Sequence, residues 1–139
     1  MSLINLILIS HGAFAAGMRE AAEMILGPQE QLEVFGLYPG DTADNFAEKL
    51  EKAIEGFGDP DHTLLLADLP SGTPSNTAML MVMKHHVHAL SGYNLPALLE
   101  ILTLREEMGP GELVAAAMEA GREAFVNADD VIKEREGRV

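Results

Sequence analysis

The sequence predicts an α/β fold: a single-domain open doubly wound parallel sheet over residues 1–139, strand order 2-1-3-4, with helices on both faces. Three observations carry this. Two apolar runs of strand length, Leu6-Ile7-Leu8-Ile9 and Leu64-Leu65-Leu66-Ala67, lack the alternation of a half-exposed strand and read as strands buried on both faces. Segments with apolar residues at helical spacing separate the strand candidates, and that alternation means right-handed crossovers in a parallel sheet. The first of these strands ends in His11 and the third in Asp68, and in such sheets ligands bind beyond the carboxyl ends of the strands.

The first strand runs from Leu6 into Ser10-His11-Gly12. Met18, Ala21, Ala22, Ile25 and Leu26 then recur at helical spacing, so a helix over roughly 15–26 lays that face on the sheet until Gly27-Pro28 ends it. Leu32 to Leu37 gives a second strand. Pro39-Gly40-Asp41 makes a turn whose Asp41 is placed to cap a helix carrying Phe46, Leu50, Ala53, Ile54 and Phe57, stopped by Gly58 and Asp59-Pro60-Asp61. The third strand, Thr63 to Ala67, meets Asp68 and then Leu69-Pro70-Ser71-Gly72-Thr73-Pro74-Ser75-Asn76. Thr73-Pro74 fits an N-cap followed by proline at the first helical position, opening a nearly all-apolar helix through Ala78, Met79, Leu80, Val82 and Met83. Val87 to Leu90 is a short fourth strand. Pro96 starts a helix over Leu98, Leu99, Ile101 and Leu102, and a last helix runs from about Gly111 past Asp130 with Leu113, Val114, Ala117, Met118, Ala124 and Phe125 facing in. Residues from about 131 form a charged, frayed tail.

Composition narrows the function. At 47% hydrophobic and 22% charged residues the chain is neither disordered nor of low complexity. It holds no apolar run of about 20 residues and no signal-peptide pattern, so a cytoplasmic protein is expected. There is no cysteine, which excludes disulfides, thiolate metal sites and cysteine nucleophiles. A net charge of −13 argues against nucleic acid or anionic membrane and favours partners with basic docking faces.

In the order 2-1-3-4 the first and third strands are neighbours about 4.8 Å apart, so His11 and Asp68 should meet at the mouth of the crevice. A carboxylate on one imidazole nitrogen fixes the tautomer and leaves the other nitrogen free to attack. Gly12 allows a sharp turn that brings backbone N–H groups near the ring. Gly72 permits close backbone approach, Ser71 and Thr73 offer hydroxyls, and the helix starting beside them turns its positive end to the site. These features describe a phosphate-sized pocket next to a nucleophile, with His11 and Asp68 as catalytic residues and Gly12, Ser71, Gly72 and Thr73 as phosphoryl-binding ones. Phosphoryl transfer is mostly positioning and electrostatics, so the set suffices with no metal or cofactor. His85-His86-x-His88 reads as histidines answering a helix dipole, His62 as a surface loop residue, and the methionines at 79, 81 and 83 as core and wall. No G-x-G-x-x-G or Walker pattern is present.

Ser10-His11-Gly12, Ala22-Glu23-Met24-Ile25-Leu26-Gly27, Asp68-x-x-x-Gly72-Thr73-Pro74-x-Asn76, Gly92-x-Asn94-x-Pro96 and Gly121-Arg122-Glu123 occur in that order. Together they make the chain resemble, over nearly its whole length, the IIA proteins of the mannose-type (mannose, fructose, sorbose, N-acetylgalactosamine) sugar phosphotransferase system. The resemblance implies a phosphocarrier. His11 would take a phosphoryl group from phospho-HPr on its outward nitrogen and give it to a IIB protein acting with membrane IIC and IID components. It also implies that Asp68 holds the other ring nitrogen, that the Thr73 hydroxyl contacts the phosphoryl group, and that the protein is a homodimer. No IIB domain follows in the sequence, so IIB is expected as a separate chain. One departure is Pro70-Ser71, where relatives often carry glycine second; it supplies a further hydroxyl.

Other readings share parts of this pattern. The phosphoryl donor of dihydroxyacetone kinase has the strand-end histidine but lacks the Gly-Thr-Pro-x-Asn stretch. Histidine phosphatases place arginine before the histidine, where this chain has Ser10. A serine hydrolase would need a G-x-S-x-G elbow, and a nucleotide or flavin module rests on fold alone.

Overall fold

The computed structural model describes residues 3–137. Strands β1 (Asn5–His11), β2 (Leu32–Leu37), β3 (Thr63–Ala67) and β4 (His88–Ser91) form one parallel sheet in the order β2-β1-β3-β4. Helices α1 (Phe14–Leu26), α2 (Ala43–Phe57), α3 (Thr73–His85), α4 (Leu95–Leu104), α5 (Pro110–Glu123) and α6 (Ala128–Glu136) complete the fold. The class, the parallel pairing and the strand order are those the sequence predicts.

The alternation of side chains along β1 explains the layering. Leu6 and Leu8 face one core, shared with α1, α4 and α5, while Ile7 and Ile9 face the other, shared with α2 and α3. All four are fully buried, each contributing about 1.5–3 kcal/mol through removal from water. An all-apolar strand thus serves two cores. Asn94 caps α4 by accepting from the Ala97 N–H at 3.1 Å and donates to Gly121 O of α5 at 2.9 Å. A Cβ on Gly121 would stand 3.0 Å from Asn94 Oδ1, so two separate sequence motifs form one packed contact.

Several local expectations are corrected. Ile25 and Leu26, expected on the sheet, are exposed, and Ala22 is the last buried residue of α1. Thr42, not Asp41, caps α2 by accepting from the Asn45 N–H at 3.1 Å; Asp41 instead accepts the Tyr38 N–H at 2.7 Å and closes the preceding turn. β4 lies one residue later than expected, His88–Ser91, because His86 adopts the left-handed C-cap of α3 and Val87 is spent leaving it. The long last helix is two helices. α5 ends at Glu123, and α6 restarts at Ala128 with Asn127 accepting from the Asp129 N–H at 2.9 Å. Ala124 and Phe125 face out, Phe125 at 83% exposure. Lys133 to Glu136 lie within α6, and residues 138–139 of the expected tail lie outside the described residues.

The end of the sheet opposite His11 is closed by Arg105, 2% exposed at the C-terminus of α4. Its guanidinium donates to Ile4 O at 3.1 Å, Gln31 O at 3.2 Å, Gln29 Oε1 at 3.2 Å and Glu30 O. Burial pulls the guanidinium down to about 10, which leaves it charged at neutral pH.

Candidate phosphohistidine site

β1 and β3 pair from Asn5↔Thr63 to Ile9↔Ala67, so the residues that follow these strands emerge side by side. Asp68 Oδ2 accepts from both the backbone N–H of His11 at 3.0 Å and its ring Nδ1 at 2.9 Å, while Oδ1 accepts the Leu69 N–H at 3.0 Å. Burial works against the Asp68 charge, but the His11 backbone N–H, the His11 ring and the Leu69 N–H outweigh it and hold the carboxyl below its ordinary value. An ionised carboxylate only accepts, so Nδ1 carries a proton, and in the neutral ring Nε2 carries the lone pair.

The other edge of the ring faces the loop before α3. A Cβ on Gly72 would fall 3.1 Å from His11 Cε1 and 3.2 Å from Nε2, and Gly72 sits at φ 93°, a left-handed conformation that a side chain would strain. The free nitrogen therefore lies against a bare stretch of backbone at the N-terminus of a 13-residue helix, where unpaired N–H groups and the helix dipole favour negative charge. The His11 side chain is 48% exposed and that of Asp68 11%, so the carboxylate is sheltered and the imidazole open.

Two sequence expectations change. Thr73 is the first residue of α3 and not its cap; Gly72 holds the cap position, and no side-chain cap bond forms. The Thr73 hydroxyl is thereby left free of a capping duty. The Gly12 N–H, expected to point toward the ring's ligand, is donated to Leu37 O at 2.8 Å, so Gly12 at φ 52° shapes the turn.

Sequence reasoning passed over three neighbours. Ser10 is fully buried behind the histidine, its hydroxyl bonded on both sides. Gly36 of β2 lies where a Cβ would stand 2.2 Å from Gly12 O. Tyr93 is 6% exposed and meets Phe14 edge-on with ring centroids 6.0 Å apart; burial and then the Asp68 charge push its phenol up, so it stays protonated. A serine at the last inward position of an apolar strand was the available signal for Ser10, and a glycine inside a strand that for Gly36.

The remaining histidines sit at the other end of the sheet or near it. His85 Nε2 and Lys84 Nζ share Glu51 Oε2 at 3.0 and 2.7 Å, His88 Nε2 pairs with Asp61 at 3.2 Å, and His62 with Asp59 at 3.3 Å.

Comparison with known proteins agrees with this geometry. The model of the family described as PTS system fructose IIA component matches residues 5–118. The PTS system mannose-specific EIIAB component of Escherichia coli K12 is 35% identical over 123 residues, 86% of this chain; the chain spans only 38% of that relative's length. The PTS system sorbose-specific EIIA component of Lacticaseibacillus casei is 32% identical over 121 residues, covering 86% of this chain and 87% of the relative. Among solved structures, the phosphotransferase system component EIIA from Streptococcus agalactiae superposes with a TM-score of 0.85 at 26% identity, over 92% of this chain and 99% of that one. Sequence, topology and the paired strand ends thus converge, and the chain belongs to the mannose-type IIA family of sugar phosphotransferase system proteins.

Proposed function

We propose that the protein is a histidine phosphocarrier of a sugar phosphotransferase system. It accepts a phosphoryl group from phospho-HPr on Nε2 of His11 and passes it to a IIB protein, upstream of membrane IIC and IID components. The observation that carries this reading is the single Asp68 oxygen that takes both the backbone and the ring N–H of His11. With Nδ1–H held there, the Nε2 lone pair forms the bond to phosphorus while the bond to the donor breaks and its electron pair leaves with the donor. The positive charge that develops on the ring is stabilised by Asp68. In this reading the Ser71 and Thr73 hydroxyls and the backbone at Gly72 meet the phosphoryl oxygens, and no step calls for a metal or cofactor. Transfer to IIB is the reverse step on a new acceptor.

This reading carries further parts. The protein works in the cytoplasm, where phospho-HPr is available, and as a homodimer, as the family resemblance implies. No helix among the described residues is long and apolar enough to cross a membrane, in keeping with contact to the membrane only through partners. The charge of −13 suits docking to basic faces on HPr or IIB, so association should weaken as salt rises.

Incubation with an HPr-phosphorylating mixture and labelled phosphate donor tests the proposal. The expected product is a phosphoprotein, acid-labile and base-stable, with the label on His11. Turnover of a small phosphoester without a stable phosphoprotein would replace the carrier by a phosphatase.

A further inference from the structure

We propose that Ser10 is a positioning residue for His11: its buried hydroxyl locks the turn that presents the histidine to Asp68. The inference rests on reading His11 as the phosphoryl acceptor. Ser10 follows Leu6 and Leu8 on the α1 side of β1 and has no exposed surface. A hydroxyl buried there costs free energy unless it is bonded, and this one is bonded twice. Its Oγ accepts the Ala15 N–H at 2.8 Å and donates to Gly12 O at 3.2 Å.

These two bonds bracket the reactive residue. Ala15 is the second residue of α1, and Ala13, in the cap position, makes no side-chain cap bond. Ser10 therefore satisfies a first-turn N–H of α1 from five residues upstream, across His11. The two peptide groups that flank the Gly12 Cα are pinned by three contacts. The Gly12 carbonyl takes the Ser10 hydroxyl and rests against the bare Cα of Gly36, while the Gly12 N–H is held by Leu37 O at 2.8 Å.

The backbone and the ring of His11 share one carboxylate oxygen, at 3.0 and 2.9 Å. A displacement of the His11 backbone by a few tenths of an ångström therefore disturbs both bonds together. Once the Nδ1–H bond is weakened, the ring samples the tautomer with the proton on Nε2, and that tautomer has no lone pair on Nε2, the nitrogen that faces the phosphoryl site. Ser10 touches neither the ring nor the phosphoryl group and acts through this alignment.

The test compares Ser10→Ala and Ser10→Thr with the native chain by two readouts. The first is ¹⁵N NMR of the His11 ring at about pH 8, where a free imidazole is neutral, which reports the share of Nδ1–H tautomer without any partner. The second is the rate of His11 phosphorylation by phosphoramidate, in which the P–N bond breaks, ammonia leaves and the Nε2–P bond forms. Ser10→Ala should turn a dominant Nδ1–H tautomer into a mixture and slow phosphorylation at least fivefold, and Ser10→Thr, which keeps the hydroxyl, should restore both. A native tautomer in Ser10→Ala overturns the proposal, as does a slowed rate with the tautomer unchanged. If Ser10→Ala melts below the assay temperature, Ser10→Cys replaces it with the same two criteria. Failure of the native protein to take phosphate from either phosphoramidate or phospho-HPr would sink the carrier reading, while the tautomer measurement would still decide the role of Ser10.

Discussion

The two ends of the sheet use polar groups in opposite ways. At the carboxyl ends of the strands, His11 is half exposed, one ring nitrogen is held by Asp68, and the other faces bare backbone at Gly72. At the amino ends, Arg105 is buried with both of its terminal nitrogens bonded, and its partners are carbonyls contributed by Ile4, Glu30 and Gln31 together with the Gln29 side chain. One end keeps hydrogen-bonding capacity in reserve; the other spends it on closure. Chemistry and stability should therefore be separable by mutation.

The sharpest break is at the reactive end. His11→Ala should abolish phosphorylation completely while changing stability by no more than about 0.5 kcal/mol, since the lost side chain is half exposed. Labelling that persists at full stoichiometry would move the acceptor elsewhere. The converse substitution is Arg105→Met. Gln31 O keeps the Leu6 N–H, but Ile4 O and Glu30 O lose the guanidinium, and each carbonyl left unpaired costs about 1–3 kcal/mol, so a loss of about 2 kcal/mol or more is expected in denaturant melts, with phosphorylation per folded molecule unchanged. A slowed transfer in that variant would show that the ends are coupled.

Next in size, Asp68→Ala should slow phosphorylation by about 10–100-fold, the usual cost of removing an orienting partner of an imidazole. The same residue predicts an acid limb. The folded protein holds the Asp68 carboxyl below its ordinary value of 3.8, so its contribution to stability is full above that pH and is lost as pH falls through the lowered value. The stability gap between native and variant proteins should thus close at strongly acid pH, as melts across a pH series would show. The smallest effect belongs to Thr73→Ala. Because Thr73 makes no cap bond, stability should stay within about 0.5 kcal/mol, while one lost hydrogen bond to a charged phosphoryl group slows transfer about tenfold.

The reactive end was legible in the sequence and the closed end was not. Apolar runs ending in His11 and Asp68 announce both strands and their termini, and the strand order follows from crossover handedness. Arg105 carries no local mark of its role, because the carbonyls that bury it come from residues 74 to 101 positions away. Caps lie one residue from the expected positions at Asp41 and at Thr73: Asp41 and Thr42 are both capping residue types and backbone direction decides between them, while at Gly72 the helix starts with no side-chain cap at all. The break between α5 and α6 carries no proline or glycine; Asn127 is its one local mark, and a continuous helical pattern ran across it.

Gly36 gives His11 a dependence that no inspection of the groups around its ring would disclose. It belongs to a neighbouring strand and carries no functional atom, but any side chain there would drive into the Gly12 carbonyl. In a saturation library scored for phosphate relay, position 36 should tolerate as little as the chemistry itself, so a map of intolerant positions would draw the active centre one strand wider than the atoms that react.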